Sequence, residues 1–175
     1  MSKINLKKIA VTAALSFSLL TGCGAKNADH ATGAELNKIL NEIGTAVVEK
    51  DSSLSDMTVD TSDSDDAELN FTAVCSVDYD RVDGYYHAYA NDGTAGEVTI
   101  ICAKSNDDVT AIMNALKDHI DSRRGTMENY TPEQVEIVDR ALLTHNGCYI
   151  GLFISTNSSS DKSNFNAELK NHGIQ

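Results

Sequence analysis

The sequence predicts an α+β fold: a mostly antiparallel sheet of about four to five strands, packed with N-terminal, central and C-terminal helices. Three observations carry it. Apolar residues recur at helical spacing in three well-separated segments. Between them lie short runs rich in β-branched and aromatic residues, joined by turn sequences such as NDGTAG and NG. The order runs helix, strands, helix, short helix, strands, helix, with no internal repeat.

Residues 34–50 carry Leu36, Ile39, Leu40, Ile43 and Val47 on one helical stripe. Residues 51–68, rich in Asp and Ser, read as a solvated acidic loop. Their carboxylates suit a hard cation such as calcium, but the EF-hand spacing and its turn glycine are missing. AELNFTAVCSV ends in an apolar run that fits a strand or a short helix. VDGYYHAYAND has strong strand preference. GEVTIICAK is apolar on both faces and therefore a central strand.

Residues 105–125 form the clearest helix, with Val109, Ile112, Met113, Leu116 and Ile120 inward, Asp107 and Asp108 at its start, and Arg123, Arg124 and Gly125 at its finish. A second start follows, with Thr131 as N-cap, Pro132 in the first turn and Gln134 closing a capping box. ALLTHNGCYIGLFIST reads as a hairpin turning at Asn146-Gly147, or as a helix running through Thr144 into one strand. Serine caps, Phe165, Leu169 and a Gly173 stop predict a short terminal helix.

The N-terminus has the secretory pattern: Lys3, Lys7 and Lys8 precede twelve uncharged residues, 9–20. That stretch is shorter than the roughly 20 residues a membrane-spanning helix needs. LTGC, ending at Cys23, resembles the lipobox of bacterial lipoproteins. The resemblance implies cleavage before Cys23 and a diacylglycerol on its thiol, an anchor to the cytoplasmic membrane. Ordinary cleavage after Ala25 is the alternative. The expected organisation is a signal peptide over residues 1–22, a lipidated polar tether over 23–33 and a single α+β domain over 34–175. Without the leader the chain has 11 basic and 26 acidic side chains, a net of −15. Such a chain repels phosphate backbones, which argues against nucleic-acid binding.

These segments together, from the lipobox through SRRG, YTPEQVEIVDRA and HNGCYIGLFIS, resemble a family of small uncharacterised lipoproteins of Clostridia-type Gram-positive bacteria, a domain of unknown function. The likeness runs over residues 34–171. It implies an envelope lipoprotein and brings no activity and no catalytic residue.

Candidate chemistry is sparse. With Cys23 lipidated, Cys75, Cys102 and Cys148 remain. Buried free thiols are the default, and a Cys102–Cys148 disulfide is the alternative if their strands are neighbours. His87, His119 and His145 read as strand, surface and turn histidines. A Cys148–His145 pair, or metal ligation by His87 or His145 with Cys102 or Cys148, needs a convergence that spacing alone does not supply. Tyr85, His87 and Tyr89 alternate onto one strand face, which either packs on helices or offers a partner an aromatic surface. Arg123 and Arg124 read first as helix-end cations and second as an anion site. No catalytic motif, metal or cofactor is expected. The leading expectation is a lipid-anchored extracytoplasmic interaction or accessory module with an envelope protein as partner. The alternative is an extracytoplasmic enzyme or metal-dependent protein whose site gathers distant histidines and carboxylates.

Overall fold

A computed structural model describes residues 30–174. Cys23, the leader and most of the expected tether lie outside the described residues. The sheet has five strands, β1 (Met57–Thr61), β2 (Val82–Ala90), β3 (Glu97–Ala103), β4 (Leu142–Asn146) and β5 (Tyr149–Ile154), in the order β1-β2-β3-β5-β4. Every neighbouring pair is antiparallel. The α+β expectation holds. β3 sits in the middle, and each residue of β3 and β5 is buried because helices cover both faces of the sheet.

Helix α1 (Gly33–Lys50) buries Leu36, Leu40, Ile43 and Val47, the stripe its spacing predicts. It lies so close to β2 that a Cβ added at Gly44 would meet the Tyr86 ring at 2.3 Å. Glycine is required there for close approach. Helix α5 (Ser158–Asn171) covers the same face, with Phe165 against Phe153 at a ring separation of 5.6 Å. Its end is closed by Gly173 at φ +75°, with Ile174 N–H returning to the Leu169 carbonyl. On the opposite face lie the short helix α2 (Ala67–Thr72), the long helix α3 (Asn106–Tyr130) and the single turn α4 (Val135–Val138). α2 settles the strand-or-helix alternative over that segment. Among the described residues, no helix is long and apolar enough to cross a membrane.

Four expectations change. The acidic loop contains β1, an edge strand whose MTVDT sequence is only half-buried and so lacks an apolar signal. Its carboxylates disperse: Asp60 accepts from Asn70, Asp63 from Asn37 and Asp51 from Asn157. α3 passes through Gly125 to Tyr130 because the further turn buries Met127, which offsets the ~1 kcal/mol a helical glycine costs. The capping box does not form: the Thr131 hydroxyl turns to the Met127 sulfur, and Gln134 Oε1 accepts the Ala95 N–H at 3.0 Å. Finally, the β4–β5 turn shifts by one residue. Asn146 pairs with Tyr149, leaving Gly147 (φ +55°) and Cys148 in the turn, and Asn146 is not a positive-φ residue.

Candidate functional site: a paired-thiol pocket

The shifted turn has a chemical consequence. It places Cys148 in the turn just ahead of β5, where its carbonyl accepts the Ala103 N–H of β3 at 2.9 Å. Cys102, on the α1 face of β3, thereby stands beside it with the two sulfurs 3.6 Å apart. Both thiols are free. β2 contributes Asp83 through a bulge between Val82 and Gly84, which turns its carboxylate toward the same corner. The fourth group arrives from the segment ahead of α1. His30 Nδ1 lies 3.3 Å from the Cys148 sulfur, and its Nε2 lies 2.8 Å from Asp83 Oδ2.

The His30 side chain is only 3% exposed, and the Tyr149 ring meets it edge-on. The last residues of the expected tether, from His30 on, are therefore packed against the domain rather than held off it. Cys102 is sealed in the core. Cys148 instead lines a cavity of about 440 Å³ with His30, Glu35, Asn146, Tyr149 and His172.

The two sulfurs are electrostatically unequal. A hydrogen bond from Cys102, then the charge of His30, holds the Cys148 thiol below its ordinary range against the opposing effect of burial. The same hydrogen bond together with burial pushes Cys102 upward. The pocket-facing sulfur is the better nucleophile and the buried one keeps its proton. A metal fits the donors as well, since two sulfurs and an imidazole nitrogen lie within 4.8 Å of one another.

A second polar cluster lies under α3. Glu97, at the start of β3 and 1% exposed, receives His119 at 2.9 Å and faces Arg123 Nε at 3.3 Å. The Thr99 hydroxyl donates to Glu97 and takes His87 Nδ1 at 2.9 Å. Burial alone would raise this carboxyl, but His119, His87 and Arg123 together hold it down at about 2. A cavity of about 310 Å³ opens beside it.

These contacts revise several readings. His119 is an internal partner of Glu97 rather than a surface histidine. Arg123 folds back to Glu97 and the Ala95 carbonyl, while Arg124 pairs with Asp139 and Glu128 on the helix surface. Tyr85 is 2% exposed, packed on Phe71, with its hydroxyl donating to the Ala67 carbonyl. It offers a partner nothing, and His87 is buried too. Tyr89 alone of that row is partly open, stacked on His87 at 5.1 Å. His145 turns to the Gly147 carbonyl and makes no pair with Cys148.

The histidine that does reach Cys148 was invisible in the sequence. His30 lies 118 positions away in a polar stretch with no periodicity. Asp83 was equally silent inside a turn-like VDG.

The fold and pocket define a small α+β domain that carries a buried thiol pair with an imidazole and a carboxylate. Residues 55–155 match the family described as Domain of unknown function (DUF4358), and the chain belongs to that family. The matched segment contains Asp83, Cys102 and Cys148, while His30 joins from outside it. No curated protein and no solved structure matches the chain.

Proposed function

We propose that this protein is a lipid-anchored extracytoplasmic envelope protein, an accessory module whose working group is the Cys102–Cys148 pair acting in thiol–disulfide exchange. The observation that carries the chemistry is the 3.6 Å sulfur pair with His30 beside the pocket-facing member. In the exchange, the Cys148 thiolate attacks a disulfide of a partner protein. One partner sulfur leaves as a thiolate and a mixed disulfide forms on Cys148. Cys102 then loses its proton and attacks the Cys148 sulfur, releasing the second partner thiolate. One disulfide has been reduced and one formed, with the partner disulfide as oxidant.

The lipobox ending at Cys23 supports the location. Six residues lie between Cys23 and His30, seven steps with a reach of at most about 25 Å, so the anchor would hold the pocket near the bilayer. The acidic chain gains nothing from anionic lipid, which leaves tethering to the acyl chains.

A test uses full-length protein, reduced in detergent and mixed with glutathione disulfide. Mass spectrometry should find an intramolecular Cys102–Cys148 disulfide in the wild type and glutathione trapped on Cys148 in Cys102→Ser. Adducts on Cys75 alone, or none, would contradict exchange. One observation favours a second reading. Asp83, His30 and Cys148 stand in the order of a thiol-hydrolase triad, with 2.8 and 3.3 Å separations. Turnover of an activated ester that survives Cys102→Ser would support it, because hydrolysis has no use for the second thiol.

A further inference from the structure

We propose that the reduced pocket is a binding site for a thiophilic d10 ion, Zn2+ or Cu+, held by Cys102 Sγ, Cys148 Sγ and His30 Nδ1. The inference concerns the site of the exchange reading, but it stands on donor geometry and needs no disulfide to form.

Sulfurs bound at about 2.3 Å around a tetrahedral centre stand about 3.8 Å apart, and a sulfur and an imidazole nitrogen about 3.5 Å apart. The two thiols are 3.6 Å apart and Cys148 is 3.3 Å from His30 Nδ1. All three donors lie within 4.8 Å of one another. Little movement separates this arrangement from a three-ligand cradle.

The surroundings point the same way. His30 directs its other ring nitrogen at Asp83, 2.8 Å away and four-fifths buried. A carboxylate accepting the second N–H of a ligating histidine is the usual orienting arrangement: it fixes the tautomer so that Nδ1 presents its lone pair. Asp83 is thus a positioning residue. Binding the ion releases the thiol protons, and the cation balances the two thiolates so formed in a place where unpaired charge is costly. The donor set selects the class of ion, because thiolate and imidazole favour Zn2+ and Cu+ over Ca2+ or Mg2+. The fourth position faces the cavity lined by Glu35 and His172, so an ion there keeps a place for water or another ligand.

This geometry makes ion binding and disulfide formation mutually exclusive. When a disulfide oxidant takes the two electrons and leaves as two thiolates, the sulfurs move from 3.6 Å to the ~2.05 Å of an S–S bond, both ligands are consumed and the ion is released. The same corner then reports redox state as metal occupancy.

The experiment uses full-length protein, reduced anaerobically in detergent, titrated with Co2+ as a spectroscopic probe and then with Zn2+ or Cu+. One equivalent of Co2+ should give intense tetrahedral d–d absorption and a thiolate charge-transfer band. Zn2+ should displace it, and a parallel Cu+ titration against a chromophoric chelator separates the two ions. His30→Ala and Cys148→Ser should each weaken binding more than tenfold, and Asp83→Asn by about 10–100-fold. Absence of the cobalt spectrum in folded wild type overturns the proposal, as does unchanged affinity in both His30→Ala and Cys148→Ser. The two readings fail separately. His30→Ala should still close its disulfide with diamide while losing the ion, and a wild type that binds the ion but never forms the disulfide sinks exchange alone.

Discussion

Asp161 is the buried acid that the fold accommodates least easily. It lies inside the first turn of α5, accepts the Ser155 hydroxyl at 2.5 Å, and faces Asp51. One oxygen on each of these carboxylates has no hydrogen-bond partner. Burial first, then Asp51, pushes Asp161 up to about 6 from the ordinary 3.8. A carboxyl raised on folding contributes stability that is fully present below its unfolded value and is lost as pH rises through its folded value. Wild type should therefore lose melting temperature relative to Asp161→Asn between about pH 4 and 7. Comparing the two chains cancels His87, which burial shifts downward and which acts in the opposite sense over part of that range. Thermal unfolding at several pH values reads the difference, and parallel curves would show that Asp161 titrates normally.

At the scale of elements, Glu97 joins three of them: β3 through its own backbone, α3 through His119 and Arg123, and β2 through Thr99 and His87. Glu97→Gln removes the buried charge and leaves Arg123, a quarter exposed, and His119 without their carboxylate, a loss of about 3 kcal/mol in urea unfolding. A change below about 1 kcal/mol would mean that Arg123 finds solvent instead. Because its folded value is depressed, the contribution of Glu97 is present above its unfolded 4.5 and lost as pH falls toward about 2.

The same scale explains what the sequence could and could not reveal. α1, β3 and the inner stripe of α3 were legible because burial writes a period into residue type. β1 was not, since an edge strand of Met, Thr, Val and Asp is half-exposed and takes its order from the partner β2. The site was less legible still. Cys102 and Cys148 meet only because β3 and β5 are neighbours, and strand order leaves no local mark. His30 and Asp83 reach them through an entry segment and a bulge, neither of which carries a periodic signal.

For the whole molecule, the pocket draws its imidazole from the segment ahead of α1: His30, the partner of Cys148, stands seven positions after Cys23 in the sequence. In the proposed setting the acyl chains and the thiol pair are joined by a short covalent path. Cys148 and Cys75 are both buried and each lines a cavity, but the Cys148 thiol is held below its ordinary range while burial pushes that of Cys75 up. The measurement that tests this account most directly is cysteine labelling in intact, mildly reduced cells with a small charged methanethiosulfonate that does not cross the membrane. The account predicts label on Cys148 well ahead of Cys75 and none on Cys23, whose thiol is in thioether linkage. Label that appears only after lysis, or a free thiol at Cys23, would contradict it.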